Sequence, residues 1–357
     1  MTTEKQLGQY YDFDQDIIDA VLEAGAKQDA MGLEGVIAHY DIDENHDTHV
    51  YGENSKLARE ELRLKPEGDY DPTAVDVAYL PYAVNITPNM IYRFSRLHMA
   101  QRLLTDREPR EMRIYGNAGL GHRDAPGRLS RQDRKLMVGE NTLAPVVDPT
   151  LLHLKKSKIG KIAILGASQA ADVGATAAER GPLYDIETEQ AVLADSASNI
   201  KLPLPLLGVH FGRAGQKLGH YVEETNSEPY SQIVSAEKWV GPDGYMTGVL
   251  RPTNIAIAKV LSRNGYKDRV RAAMHANPNL RLADVWAADS EVGDRAVARN
   301  IADALVQEFG EQRLTGMEIK AGHAVINQLD VHAAVMMQGL RETAALTTPI
   351  DMSKVKI

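Results

Sequence analysis

Short apolar runs bounded by turn residues recur along the chain. Four lie at Val77–Leu80, Met112–Tyr115, Lys161–Leu165 and Ala191–Ala194, and two more come late, at Ala283–Ala287 and Met317–Lys320. Continuous apolar runs of this length predict strands buried on both faces, as in a parallel sheet. An earlier pair, Gly35–Tyr40 and Thr48–Tyr51, predicts a hairpin across the polar stretch Asp41–Asp47. Helical spacing fills the intervals. Thr87 and Pro88 read as an N-cap followed by proline in the first turn, with Met90, Phe94, Leu97 and Leu104 then on one face. Ser130 to His153 predicts helix with a break near Pro145 and Pro149, and Ala170 to Arg180 an alanine-rich helix. Val297, Ile301 and Leu305 form a stripe that Gly310 ends. Strands alternating with helices predict an α/β protein with a mostly parallel central sheet flanked by helices.

The alternation lapses between Asn199 and Asn279. That stretch opens on Leu202-Pro203-Leu204-Pro205 and later carries a Gly-Pro-Asp-Gly turn at 241–244, with a helical piece from Asn254 to Arg263. The expected organisation is therefore a core of residues 1–198 and 280–357, with a mainly helical cap inserted at 199–279.

Chemistry concentrates at Lys161–Arg180, where a strand turns into a helix through Gly166-Ala167-Ser168-Gln169-Ala170. A serine on so sharp a turn is crowded by its neighbours unless the residues two before and two after are small. Gly166 and Ala170 meet that need, which makes Ser168 a candidate nucleophile. The N–H of Gln169, at the start of the helix, is a candidate oxyanion donor. A serine elbow also requires an acid after a later strand and a histidine after the last one. The strand Ala283–Ala287 runs into Asp289, and Met317–Lys320 runs into His323. Asp284 lies inside its strand and Asp294 beyond the turn, so Glu291 is the best substitute for Asp289.

In this order of elbow, acid turn and histidine turn, the sequence from about Asp76 to Gln338 resembles the α/β-hydrolase superfamily. The resemblance implies acyl transfer: Ser168 attacks a carbonyl carbon, His323 shuttles the proton, and Asp289 orients the imidazole. It also implies a second oxyanion donor after the third strand, where members often carry His-Gly. This chain has Pro81-Tyr82-Ala83 there, so Ala83 would give the N–H and Tyr82 stands beside it as an alternative donor.

Other signals point elsewhere. The strand, turn and helix around Ser168, followed by the strand ending at Asp195, also resemble a dinucleotide-binding unit in which Asp195 would hold a ribose. The three-glycine fingerprint is missing, so an NAD(P)-dependent oxidoreductase ranks below the hydrolase, and no cofactor is expected. Gly116-Asn117-Ala118-Gly119-Leu120-Gly121 lacks the lysine of a phosphate loop and reads as a flexible turn near the site, with His122 and Arg123 beside it. The ligand-rich stretch Asp41–His49 lacks the glycine and glutamate of a calcium loop, so no metal is expected. Phe211, Tyr221, Tyr230, Trp239 and Tyr245 either line an acyl pocket or form the cap's own core.

Composition narrows the classes. The chain has 357 residues, 43% hydrophobic and 25% charged, with no cysteine and a formal net charge of -9. A cysteine nucleophile, disulfides and thiolate metal sites are excluded, and the acidic balance argues against a nucleic-acid partner. The polar start lacks the apolar core of a signal peptide and no run of eighteen apolar residues occurs, so a cytoplasmic location without a membrane span is expected. The expected partner is a small-molecule acyl substrate, and a homo-oligomer is compatible with the sequence. The expected function is hydrolysis of a carboxylic ester, thioester or amide. The alternative is a member of the same fold that binds or assembles without catalysis.

Overall fold

The structure is a computed structural model, and it describes residues 3–40, 48–51, 55–58, 61–80, 88–104, 108–116, 129–201, 203, 206, 209, 252–326 and 328–346. Most of the stretch expected to form the cap, with Phe211, Tyr221, Tyr230, Trp239 and Tyr245, and the loops holding Tyr82, Ala83, His122 and Arg123 lie outside these residues.

The sheet is built from β3 (Glu61–Leu64), β4 (Ala74–Tyr79), β5 (Glu111–Tyr115), β6 (Lys161–Ala167), β7 (Glu187–Ala194), β8 (Arg281–Ala287) and β9 (Leu314–Ile319). Their order is β3-β5-β4-β6-β7-β8-β9. Only β3 runs antiparallel to its neighbour; every other pairing in this sheet is parallel. The six apolar runs of the sequence all fall on these strands, each within a few residues of its expected bounds.

The apolar runs are continuous because both faces of the sheet are covered. In β6, Ala163 and Leu165 belong to one core and Ile162 and Ile164 to the other. The first face packs against α2 (Gln15–Tyr40), α3 (Pro88–Leu103) and α11 (Leu329–Ala345), through residues such as Ile17, Val21, Phe94, Leu97 and Val335. The other packs against α5 (Ala144–Lys156), α6 (Gln169–Arg180), α7 (Pro252–Leu261), α8 (Tyr266–Ala276) and α9 (Arg295–Phe309). Each Leu or Ile buried this way contributes about 1.5–3 kcal/mol from apolar transfer. From Pro252 onward, the stretch expected as cap supplies α7 and α8, which share the apolar layer of α6 between β7 and β8.

Two local expectations change. Gly35–Tyr40 is not a strand but the end of α2, beyond a kink where Gly32 takes φ 65°. Val36 and Tyr40, four residues apart, are both buried there, which is helical and not strand spacing. Thr48–Tyr51 is indeed a strand, β1, but it pairs with β2 (Ser55–Ala58). The break in Ser130–His153 falls at 141–143, earlier than the prolines, between α4 (Arg131–Glu140) and α5. Asn141 caps α4 in the left-handed conformation, and Pro145 sits in the first turn of α5, where its missing N–H costs nothing. Short helices also form at α1 (Glu4–Gly8) and α10 (His323–Ile326), with a 3₁₀ turn at Gly181–Tyr184.

A buried polar clamp joins the helices of the first face. Arg96 on α3 donates from Nε to Gln28 Oε1 of α2 at 2.8 Å and pairs through Nη1 with Asp330 Oδ1 of α11. Arg96 is 4% exposed and Asp330 5%, so breaking the pair strands a charge in a low dielectric. Asp330→Ala is expected to lower stability by about 3 kcal/mol in urea melts. A loss below about 1 kcal/mol would show that Asp29, 3.4 Å from Nη2, answers the charge alone.

Candidate active site

Ser168 stands at the join of β6 and α6 with φ 61° and ψ -134°. A non-glycine residue held there stores about 1–3 kcal/mol of backbone strain. The surroundings fix it: Ser168 N donates to Ala194 O at 2.8 Å, and Ala171 N donates to Ser168 O at 3.0 Å. A Cβ on Gly166 would lie 2.4 Å from Ala170 O, so only glycine fits two residues before the serine. The turn thus has the small-residue requirement and the strained serine of a nucleophile elbow.

His323 opens α10, just past the end of β9. Its Nε2 lies 2.8 Å from Ser168 Oγ and its Nδ1 lies 2.5 Å from Asp195 Oδ2. Three side chains from three strand ends therefore form one chain of hydrogen bonds, with the serine in reach of a base and the base held by a carboxylate. All three are buried, at 3% exposure for Ser168, 5% for His323 and 1% for Asp195, which strengthens each link.

The acid in this chain is Asp195 and not Asp289. The β6–β7 register pairs Ala167 with Ala194, so Ser168 and Asp195 leave adjacent strands at the same level. Asp289 follows β8, one strand further on, and its side chain is exposed in a turn whose backbone N–H donates to Ala321 O. That turn serves the acid instead. Ser290 Oγ donates to Asp195 Oδ2 at 2.8 Å, and Ala287 N donates to Oδ1 at 3.2 Å. Glu291, the sequence substitute for Asp289, reaches the backbone of the histidine: its Oε2 accepts from His323 N at 2.8 Å. The sequence places Asp195 directly after a strand, where the hydrolase reading treats it as no more than the strand's end and only the dinucleotide alternative gives it a ribose. Here it is committed to an imidazole.

Gln169 opens α6, and its backbone N–H is the oxyanion candidate on this side of the serine. Tyr82 and Ala83 lie outside the described residues, as do 117–121 of the glycine-rich turn and 41–47 of the ligand-rich one. Among the described residues no group of three or more His, Asp or Glu side chains is placed to hold a metal. No described helix is long and apolar enough to cross a membrane.

Six parallel strands with one antiparallel edge, an elbow serine after the central β6 and a histidine after β9 decide the architecture. This is the α/β-hydrolase fold. Comparison with protein-family models gives no match, and comparison with curated proteins gives none. Among solved structures, a thioesterase domain from the curacin biosynthetic pathway is similar at 9% identity, over 86% of this chain and 99% of that one, with TM-score 0.47. An enol-lactonase from Burkholderia xenovorans is similar at 12% identity, over 81% and 97%, with TM-score 0.49. A Pyrococcus furiosus esterase is similar at 10% identity, over 87% and 94%, with TM-score 0.46. The chemistry of the site rests on its own geometry.

Two further carboxyl groups lie close to the Ser168–His323–Asp195 hydrogen-bond chain. Asp172, fully buried on α6, accepts from Ser196 Oγ at 2.9 Å and from Ser198 Oγ, and lies 3.5 Å from Arg269. It ties α6 to the segment after Asp195, a residue that itself takes φ 45°. Asp284, in β8 opposite Leu193, accepts from Tyr266 Oη at 2.7 Å. Burial pushes the Asp284 carboxyl up to about 7, only partly opposed by the Tyr266 hydrogen bond and reinforced by the charge of Asp195. Between about pH 4 and 7 the folded chain holds a proton that the unfolded chain has released. Stability therefore falls as pH rises through that window and levels off above it. Asp284→Asn keeps an acceptor for Tyr266 without the charge. At pH 8 it is expected to be more stable than wild type by on the order of 2–4 kcal/mol in urea melts, with the gain gone by about pH 4. No gain at pH 8 would show that Asp284 ionises without penalty.

Proposed function

We propose that the protein is a serine hydrolase that cleaves a carboxylic ester, thioester or amide through an acyl-enzyme on Ser168. The observation that carries this reading is the 2.8 Å approach of His323 Nε2 to Ser168 Oγ, with Asp195 on the other ring nitrogen. His323 takes the serine proton as Oγ attacks the carbonyl carbon, and then delivers it to the leaving group. Asp195 accepts from Nδ1–H, holds the ring in the tautomer that leaves Nε2 free to accept, and stabilises the imidazolium that forms. The N–H of Gln169 faces the developing oxyanion, and a donor from the Tyr82–Ala83 turn completes the hole. Water then repeats the sequence in reverse on the acyl-enzyme, with His323 again as the base.

The same distance favours catalysis over a non-catalytic binding or assembly role. A scaffold has no need of a strained serine held against a histidine. The engagement of Asp195 by His323 and Ser290 also weighs against its holding a ribose. The substrate is a small molecule with an apolar acyl group, and the stretch between residues 202 and 251 is proposed to cover the site as a cap. A cytoplasmic location and self-association stay with this reading as proposals.

The test is covalent labelling. A fluorophosphonate probe is expected to label the wild-type protein, and Ser168→Ala to abolish labelling. Asp195→Asn should slow turnover of aryl esters on the order of 10³–10⁴-fold by upsetting the histidine tautomer. Asp289→Asn should stay within about threefold, as a substitution on an exposed turn does. A folded wild-type protein that resists the probe overturns the proposal. A severe loss in Asp289→Asn with none in Asp195→Asn would reassign the acid.

A further inference from the structure

The histidine turn meets a second carboxylate, and it does so through the main chain. Glu291 lies in the turn between β8 and α9, only 9% exposed, and its Oε2 accepts from His323 N at 2.8 Å. Asp195 has the ring; Glu291 has the peptide from which the ring hangs. At 2.8 Å the hydrogen bond is of ordinary, well-formed length for an N–H donor and an oxygen acceptor. Fixing that N–H fixes the orientation of the His323 peptide plane and, with it, the direction of the Cα–Cβ bond toward Ser168.

The preceding residue is cut to fit. A Cβ on Gly322 would meet Glu291 Oε1 at 2.6 Å, Oε2 at 3.1 Å and Cδ at 3.2 Å, and these are its three nearest atoms. Among the described residues the positive-φ glycines are Gly32, Gly68 and Gly310, so the backbone of Gly322 admits an L side chain. What keeps a side chain out at Gly322 is the Glu291 carboxylate itself. Glycine in the Ala-Gly-His turn is therefore read as the seat for a brace, and not as a conformational need.

We infer that Glu291 is a positioning residue for the proposed hydrolysis, aiming the His323 imidazole at Ser168 through the His323 backbone N–H, with Gly322 as its obligatory neighbour. The inference rests on the serine-hydrolase reading, since it concerns the base of that reaction.

The experiment compares fluorophosphonate labelling rates and aryl-ester kinetics of the full chain in wild type, Glu291→Ala, Glu291→Gln, Gly322→Ala and the Glu291→Ala/Gly322→Ala double variant. Glu291→Ala is expected to lower kcat and the labelling rate about 10–100-fold with KM within about threefold, as a misaimed catalytic group does. Glu291→Gln, whose amide oxygen still accepts from His323 N, should return to within about fivefold of wild type. Gly322→Ala should be as slow as Glu291→Ala. In the Glu291→Ala background, however, it should add less than about twofold, because the atoms it would strike are gone. Wild-type rates in folded Glu291→Ala overturn the inference, as do losses that multiply in the double variant. Should Glu291→Ala fail to fold, an unimpaired Gly322→Ala overturns it equally. A wild-type protein that takes no label fails the hydrolase reading itself, a result distinct from any of these.

Discussion

One backbone hydrogen bond, from Ser168 N to Ala194 O, fixes where everything else must go. It extends the β6–β7 ladder one step past the last paired residues, Ala167 and Ala194. The next residue on each strand is then Ser168 or Asp195, carried out of the sheet at the same height. Asp195 N in turn donates to Val285 O of β8, and Ala288 N to Ile319 O of β9, so the ladder carries that level across to the histidine turn. Parallel register thus does what sequence spacing cannot: it gathers residues far apart in the chain at one edge within hydrogen-bonding reach. The strain at Ser168 and the positive φ of Asp195 are tolerated because strand pairing below them and the Asp172 bonds beside them leave the chain no relaxed alternative.

The serine and the histidine that meet at 2.8 Å were legible in the sequence for separate physical reasons. Ser168 announced itself through the crowding rule, which only small residues such as Gly166 and Ala170 satisfy. His323 announced itself by following the last apolar strand. The acid did not, because two strands end in the same way: Ala194 leads to Asp195, and Ala288 leads to Asp289. Sequence order cannot say which of two neighbouring strand ends lies under the imidazole. That is decided by lateral position in the sheet, and by Ser290, which turns the Asp289 loop into a support for Asp195. The sheet and most of the helices that flank it were equally legible, since doubly covered strands must be apolar throughout. In the first helix layer α3 was legible from its Thr87-Pro88 start and its apolar stripe, but α2 was not. In α2 the helical stripe of Ile17, Val21 and Ala24 is broken by Gly32, and the short apolar piece beyond it imitates a strand until α3 is there to pack against.

Charge is handled unevenly beneath the site. Asp195 sits among hydrogen-bond donors, whereas Asp284, one strand away, is answered by a single phenol and so resists ionising. Burial without a second donor is what raises the Asp284 carboxyl above the usual carboxylate range.

The Arg96–Asp330 clamp has a consequence for how the chain is made. Its partners are 234 residues apart, and at typical synthesis rates of roughly 5–20 residues per second that separation is on the order of ten to fifty seconds on the ribosome. During that interval α2 and α3 have emerged but α11 does not yet exist, and Asp29 is the only acid of the clamp available to Arg96. The nascent chain therefore carries a half-built apolar layer until its C-terminal helix arrives. That helix docks last, and closes the layer behind the histidine turn it follows.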